Sequence, residues 1–117
     1  MNASAKSVFY FGIYLLPLGA LLLFIPNPFL TLFGFPPTEG IWIHVLGVVV
    51  IALGGYYIGS ARHNLTPFFR MTVFARTFVF IAFLLFVIFL NARPMLALFG
   101  TVDLLGALWT WLTLRSS

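Results

Sequence analysis

The sequence contains no cysteine and very little charge. The absence of cysteine excludes disulfide exchange, thiolate metal sites and iron–sulfur clusters built from the chain's own residues. Charged residues make up 7% of the chain, against about a quarter in an ordinary soluble domain. Two residues are acidic, and one of them, Asp103, lies inside a long apolar run.

What the chain has in abundance is apolar surface. Hydrophobic residues make up 62% of its 117 residues, and the mean hydropathy is +1.14. A water-soluble fold of this size keeps a large share of its surface exposed and could not hide so many apolar side chains. We therefore predict an integral membrane protein. The formal net charge of +4 comes from basic residues at the ends of apolar runs, which indicates membrane topology and no nucleic-acid partner.

Four apolar runs are long enough to cross a bilayer as helices, since a crossing takes about 20 residues. They cover residues 7–25, 41–60, 71–91 and 95–114. Lys6 precedes the first run as in a signal peptide. That run is too long, however, and no small-residue cleavage site follows it, so we expect it to be retained. The sequence predicts one all-α transmembrane domain over residues 1–117, a four-helix bundle.

Positive charge predicts the orientation of the bundle. Four basic residues fall at the N-terminus, the middle connection and the C-terminus, which four crossings place on one side: Lys6, Arg62, Arg70 and Arg115. The opposite side carries one acidic and one basic residue, Glu39 and Arg93. Both termini should therefore be cytoplasmic, in a bacterial inner membrane or an equivalent one.

The first outer connection is apolar enough to form a helix of its own. Asn27 followed by Pro28 is a helix start signal, and Gly34 is a stop signal. We expect a short interfacial helix between the first and second spans, packed on the outer rim of the bundle. A hydrophobic loop buried against the helix ends is the alternative.

Small residues predict where the helices pack, because helices in lipid associate through close contact. The glycines on such faces are Gly47, Gly55, Gly59, Gly100 and Gly106. Gly55 and Gly59 form a G-x-x-x-G motif in the second span. In the fourth span the glycines share a face with Asp103 and Thr110. The same faces could instead shape a ligand pocket.

The depth of Asp103 requires an explanation. At about 1.5 Å per residue it lies on the order of 12 Å below the outer end of its helix, near the bilayer centre. An unpaired carboxylate there costs several kcal/mol, so it must be protonated or find a partner. Arg76 in the third span is suited to pair with it, because spans joined by a short link are antiparallel neighbours. This intramembrane charge pair either locks the two helices together or forms a functional site.

His44 stands about one turn inside the outer end of the second span, near Glu39. We expect it to hydrogen-bond a carbonyl or a carboxylate. The alternative is a polar site with Glu39 that acts on a lipid under the outer helix. His63 lies roughly 28 Å away along a helix, so the two histidines cannot ligate one haem within a protomer. The sequence predicts no catalytic residue, no metal site and no cofactor.

The run F-G-T-V-D-L-L-G-A-L-W-T-W, residues 99–111, follows the arginine-bearing run R-M-T-V-F-A-R-T-F, residues 70–78. Together they resemble the DoxX-like group and related uncharacterised families of small bacterial membrane proteins. The resemblance implies a four-helix architecture. It implies no mechanism, because those families are mostly without an assigned activity.

The leading interpretation is a non-enzymatic membrane module. It would bind a lipid-like or quinone-like apolar ligand, or serve as an accessory subunit of a larger membrane complex. The rival is a homo-oligomeric channel or carrier in which Asp103, Arg76 and His44 line a polar path, which requires at least a dimer. The expected partners are the bilayer and either another membrane protein or a second copy of this chain.

Overall fold

The computed structural model of the chain describes residues 2–116 and is all-helical over that range. Its helices are α1 (Ala3–Phe24), α2 (Pro26–Leu32), α3 (Trp42–Arg62), α4 (Thr66–Phe89) and α5 (Met95–Ser116). The four longer ones, α1, α3, α4 and α5, are apolar and long enough to cross a membrane. The four predicted runs are thus confirmed as helices. The largest difference in bounds is at α4, which begins at Thr66 and not at residue 71.

The helix ends follow from the local sequence. The side chain of Asn2 caps α1 by accepting a backbone N–H hydrogen bond of 2.8 Å. Pro67 occupies the first turn of α4, where backbone N–H groups have no carbonyl partner within the helix, so proline costs no hydrogen bond there. The helix therefore starts at Thr66, ahead of the apolar run. Asn64 and Asn91, with φ of 50° and 54°, take the left-handed backbone conformation just beyond the ends of α3 and α4.

The short helix predicted after the first span is present as α2. It begins with Pro26, and Gly34, the predicted stop, follows it with a φ of +81°. That backbone conformation costs glycine little because it has no Cβ. The helix packs on the end of α1. The first part of the connection is therefore helical, whereas residues 33–41 are not, and Phe33 and Phe35 in that part pack against the ring of Phe99.

The long helices form two antiparallel pairs, α1 with α3 and α4 with α5, and α1 also packs on α5. We call the end that carries the start of α1, the α3–α4 turn and the end of α5 the terminal end. The opposite end, with α2 and the α4–α5 connection, is the loop end. Although a short turn joins them, the backbones of α3 and α4 do not pack closely, and the two helices meet through side chains near the terminal end, where the ring centroids of Tyr57 and Phe68 lie 5.7 Å apart. The bundle is therefore not closed by backbone packing between these two helices toward the loop end.

Four glycines bring α1 and α3 into backbone contact. A Cβ added to Gly19 would lie 2.9 Å from the carbonyl oxygen of Gly47, and one added to Gly12 would lie 3.0 Å from that of Gly54. In each helix the two glycines are seven residues apart, so they lie on one stripe. Any larger residue would push the helices apart. We call this contact the α1–α3 seam.

The predicted packing glycines divide into two groups. Gly47 lies in the seam, a Cβ on Gly100 would lie 3.3 Å from α4, and one on Gly106 would lie 2.8 Å from a ring of α1, so all three stand at helix contacts. Gly55 and Gly59 do not: a Cβ on either would meet no described atom within 4 Å. Successive helical residues are about 100° apart, so the position of Gly54 in the seam turns Gly55 outward.

Buried side chains concentrate toward the terminal end. The apolar core consists of Ala5, Val8, Phe11, Leu15, Tyr57, Ala61 and Phe69. Most of these residues belong to the first half of α1, the last turns of α3 and the first turn of α4. Toward the loop end, burial among the described residues is largely limited to the seam glycines, Gly100, Leu22 and Pro26.

Candidate functional site

A buried arginine lies where α1, α4 and α5 meet. Arg76 on α4 is 2% exposed and is the largest fully enclosed side chain among the described residues. Its Nη2 donates hydrogen bonds of 2.9 Å to the hydroxyls of Thr72 and Thr110, and its Nε donates to the Thr72 carbonyl oxygen at 3.2 Å. The guanidinium is therefore held by neutral oxygens of α4 and α5.

These hydrogen bonds continue into α1 in one direction. Ser7 Oγ lies 2.7 Å from Thr110 Oγ1 and 2.7 Å from the carbonyl oxygen of Ser4. A carbonyl oxygen only accepts, so the single hydroxyl proton of Ser7 goes to Ser4. Thr110, which accepts from Arg76, then donates to Ser7. The direction of hydrogen-bond donation, from Arg76 through Thr110 and Ser7 to Ser4, is therefore fixed. These hydrogen bonds connect α4, α5 and α1. We call these four residues the arginine network.

One nitrogen of the guanidinium stays outside this network. Arg76 Nη1 is buried and has no hydrogen-bond partner among the described residues. The Arg76 Cζ lies 4.8 Å from the ring centroid of Phe11 and 5.6 Å from that of Tyr57. Such cation–π contacts compensate part of the cost of burying the charge. Gly106 makes room for this nitrogen, since a Cβ there would lie 3.0 Å from Nη1.

A cavity of about 700 Å³, here the central cavity, extends from Arg76 toward the loop end. All four long helices line it, and α2 contributes Phe29 and Leu30. Its α3 wall is the face Ile43, Leu46, Val50, Leu53 and Tyr57. From Ile43 to Tyr57 this wall is about 21 Å long at 1.5 Å per residue. Beyond the contacts of Tyr57 with Phe68 and Arg76, no close approach of the α3 and α4 backbones closes the cavity on that side.

The walls are mainly apolar, but a polar cluster lies at the middle of the bundle. Asp103, Tyr14 and Tyr57 line the cavity together with Arg76, and Asp103 interacts electrostatically with the other three. No described residue donates a hydrogen bond to the Asp103 carboxylate. Within the described chain the two tyrosine hydroxyls also have no hydrogen-bond partner. These polar groups are available to a ligand in the cavity.

The contact predicted between Arg76 and Asp103 is not made directly. No ion pair or hydrogen bond joins the two among the described residues, although both line the same cavity. Helical side chains lean toward the N-terminus of their helix, so Arg76 extends toward the terminal end and meets Thr110. Asp103 lies about 10 Å further toward the loop end on α5. The sequence identified the correct face of α5, but Arg76 contacts Thr110 on it.

His44 holds two helices together at the loop end. Its Nδ1 donates a hydrogen bond to the carbonyl oxygen of Leu23, near the end of α1, which confirms the predicted carbonyl partner. No hydrogen bond or ion pair among the described residues joins His44 to Glu39, so the alternative polar site stays a prediction. Within residues 2–116 no group of three or more histidine and acidic side chains could hold a metal ion.

Comparison of the chain with models of protein families, with curated proteins and with solved structures found no match. The resemblance to the DoxX-like group therefore stays a prediction. The central cavity and its polar cluster are the features from which a function can be argued.

Proposed function

We propose that this chain is a multi-pass membrane protein that binds a lipid-like or quinone-like amphiphile in the central cavity. The observation that carries the proposal is an apolar cavity with a carboxylate and two phenolic hydroxyls in its wall that no described residue satisfies. Ligand sites typically combine such apolar walls with a few convergent polar groups.

The membrane placement is supported by the outside of the bundle. Large apolar side chains cover it, with Trp42 80% exposed and Phe74 77% exposed. In water such a surface would drive aggregation, whereas lipid tails solvate it. Lys6, Arg62 and Arg115 lie at the terminal end, so the positive-inside rule places that end in the cytoplasm. The loop end, toward which the central cavity extends, would then face outward.

The separation of the α3 and α4 backbones supports an entry route for the ligand into the central cavity. A ligand dissolved in the bilayer reaches a cavity from the side, and on the α3–α4 side the helix backbones do not pack closely toward the loop end. The short helix α2 places Phe29 and Leu30 at the outer part of the cavity. An apolar tail can lie along the α3 wall while the outer end of the molecule passes under α2.

The chemistry of the ligand head follows from the polar cluster. The Asp103 carboxylate accepts hydrogen bonds, and the hydroxyls of Tyr14 and Tyr57 can donate as well as accept. A head that both donates and accepts, such as a hydroxyl group or a reduced quinone, satisfies them together. A purely hydrocarbon molecule would leave these groups unpaired, which costs about 1–3 kcal/mol for each.

Native mass spectrometry of protein extracted gently from its own membranes tests the proposal. We expect the 13.1 kDa chain to carry an extra mass of small-molecule size. Asp103→Asn should weaken the affinity at least about tenfold and so lower the bound fraction, because a charged hydrogen-bond acceptor contributes about 1.5–3 kcal/mol. Thr101→Val is the matched control, since Thr101 lies on the same helix, bonds only the Ala97 carbonyl oxygen and does not line the cavity.

Other outcomes would overturn the proposal. A bare monomer after gentle extraction contradicts ligand binding. A second protein in fixed stoichiometry without a small molecule indicates an accessory subunit. A homo-oligomer without a bound molecule favours the channel or carrier, and Asp103→Asn should then abolish flux in reconstituted vesicles while the protein stays folded.

A further inference from the structure

A second concave site lies on the other side of α4. A groove of about 750 Å³ runs between α4 and α5, and it shares no lining residue with the central cavity. Its walls are successive turns of the two helices, with Phe74 and Phe78 from α4 facing Leu104 and Leu108 from α5. We call it the α4–α5 groove. Nothing in the arginine network or the polar cluster accounts for it.

The length and position of the groove match one leaflet of a bilayer. Its α4 wall runs from Arg70 to Ile81, about 16 Å at 1.5 Å per residue. The hydrocarbon core of a bilayer is about 30 Å thick, so this is about half of it. Arg70 lies in the second turn of α4 and Arg115 in the last turn of α5, both at the terminal end. The groove therefore begins at the level of the lipid head groups on that side.

The charge of the groove has one sign. Arg70 and Arg115 are its charged lining residues, and no acidic side chain lines it. Neither guanidinium makes a hydrogen bond or an ion pair within residues 2–116. Arg115 is held with its Cζ 5.0 Å from the ring centroid of Trp111, which also lines the groove. Guanidinium groups bind phosphate oxygens in a bidentate manner, and tryptophan is typical of the head-group region.

We propose that the α4–α5 groove binds one phospholipid with an anionic head group from the leaflet at the terminal end. The phosphate lies between Arg70 and Arg115, and an acyl chain lies along Phe74 and Leu108. The inference rests on the membrane placement of the proposed function and not on the ligand of the central cavity. Charge complementarity selects an anionic lipid, because a zwitterionic head group brings its own cation next to two arginines.

The test compares lipids that differ only in the head group. Purified protein in detergent is incubated with phosphatidylglycerol or with phosphatidylcholine of identical acyl chains, and the retained lipid is counted by native mass spectrometry. We expect phosphatidylglycerol to be retained about thirtyfold more, since each of the two arginines contributes about 1 kcal/mol near a lipid surface. Combining Arg70→Gln with Arg115→Gln should remove this preference.

Arg62→Gln is the matched control, because Arg62 is an exposed arginine at the same end that does not line the groove. It should keep the preference. Equal retention of the two lipids by the native chain, or a preference unchanged in the double variant, overturns the inference. Inorganic phosphate is added in a further arm: if it displaces phosphatidylglycerol at equal concentration, the site binds free phosphate and not a lipid.

The same spectra separate this inference from the proposed function. A molecule in the central cavity gives its own mass and responds to Asp103→Asn. If the preference for phosphatidylglycerol is absent while the molecule in the central cavity is retained, only the inference of a lipid in the α4–α5 groove is overturned. A native chain that prefers phosphatidylglycerol but carries no other molecule overturns the cavity ligand alone.

Discussion

The terminal half of the bundle is filled with side chains, whereas the loop half encloses the central cavity, although the same four long helices run through both. At the terminal end α4 turns Phe69, Thr72 and Arg76 inward, and all three are buried. Further along the same helix Val79 and Phe83 face the cavity and are only partly buried. The difference shows that α1, α4 and α5 are fixed to each other at one end, while α3 and α4 stay apart at the other.

The α1–α3 seam is what the two halves have in common, and substitution there should have the largest effect. In Gly19→Leu the new side chain begins at a Cβ that would lie 2.7–2.9 Å from atoms of Ile51 and Gly47. The backbone of α3 cannot rotate away, so we expect a loss of at least about 3 kcal/mol, the upper part of the range for overpacking. The free energy of unfolding in detergent measures it. Gly55→Leu, at a position with open space around it, should change stability little.

The same substitution placed in each half tests the comparison directly. Val8→Phe enlarges a side chain that is fully buried in the packed half, and it should cost about 2 kcal/mol. Val79→Phe extends into the central cavity and should change stability by no more than about 0.5 kcal/mol. Val79→Phe should also remove the bound molecule from native mass spectra. Equal destabilisation by the two variants would show that the loop half is packed in solution.

Among the destabilising substitutions, the smallest loss is expected in the arginine network. Thr110→Val keeps the shape of the side chain but takes an acceptor from Arg76 and a donor from Ser7. Inter-helix hydrogen bonds in membrane proteins average below 1 kcal/mol, but a charged donor raises the cost, so we expect about 1–2 kcal/mol. Unfolding in detergent measures it against Thr101→Val. If the two variants unfold alike, the network does not hold the terminal half together.

Much of the architecture could be predicted from the sequence, because hydropathy alone identifies helices that are long and apolar enough to span a membrane. The long apolar runs were all found as helices, and α2 was found from Asn27, Pro28 and Gly34. The start of α4 was placed too late, because Thr66 and Pro67 belong to the helix by their local chemistry and not by their hydropathy.

The seam and the site were harder to predict, since both depend on how helices are rotated and shifted against each other. Gly54 and Gly55 are adjacent, and the familiar G-x-x-x-G spacing favoured Gly55 over the seven-residue spacing that α1 and α3 use. Charge likewise suggested Asp103 as the partner of Arg76. The structure uses Thr110, because the arginine side chain extends toward the N-terminus of its own helix.

The fixed order of donors in the arginine network bears on proton conduction. A chain of hydroxyls carries protons only if every hydroxyl can reverse its donor and acceptor roles after each passage. Arginine only donates and keeps its proton at any ordinary pH, so it holds Thr110 and Ser7 in one arrangement. The arginine network therefore connects three helices in the packed half of the bundle. It does not conduct protons between the central cavity and the terminal end.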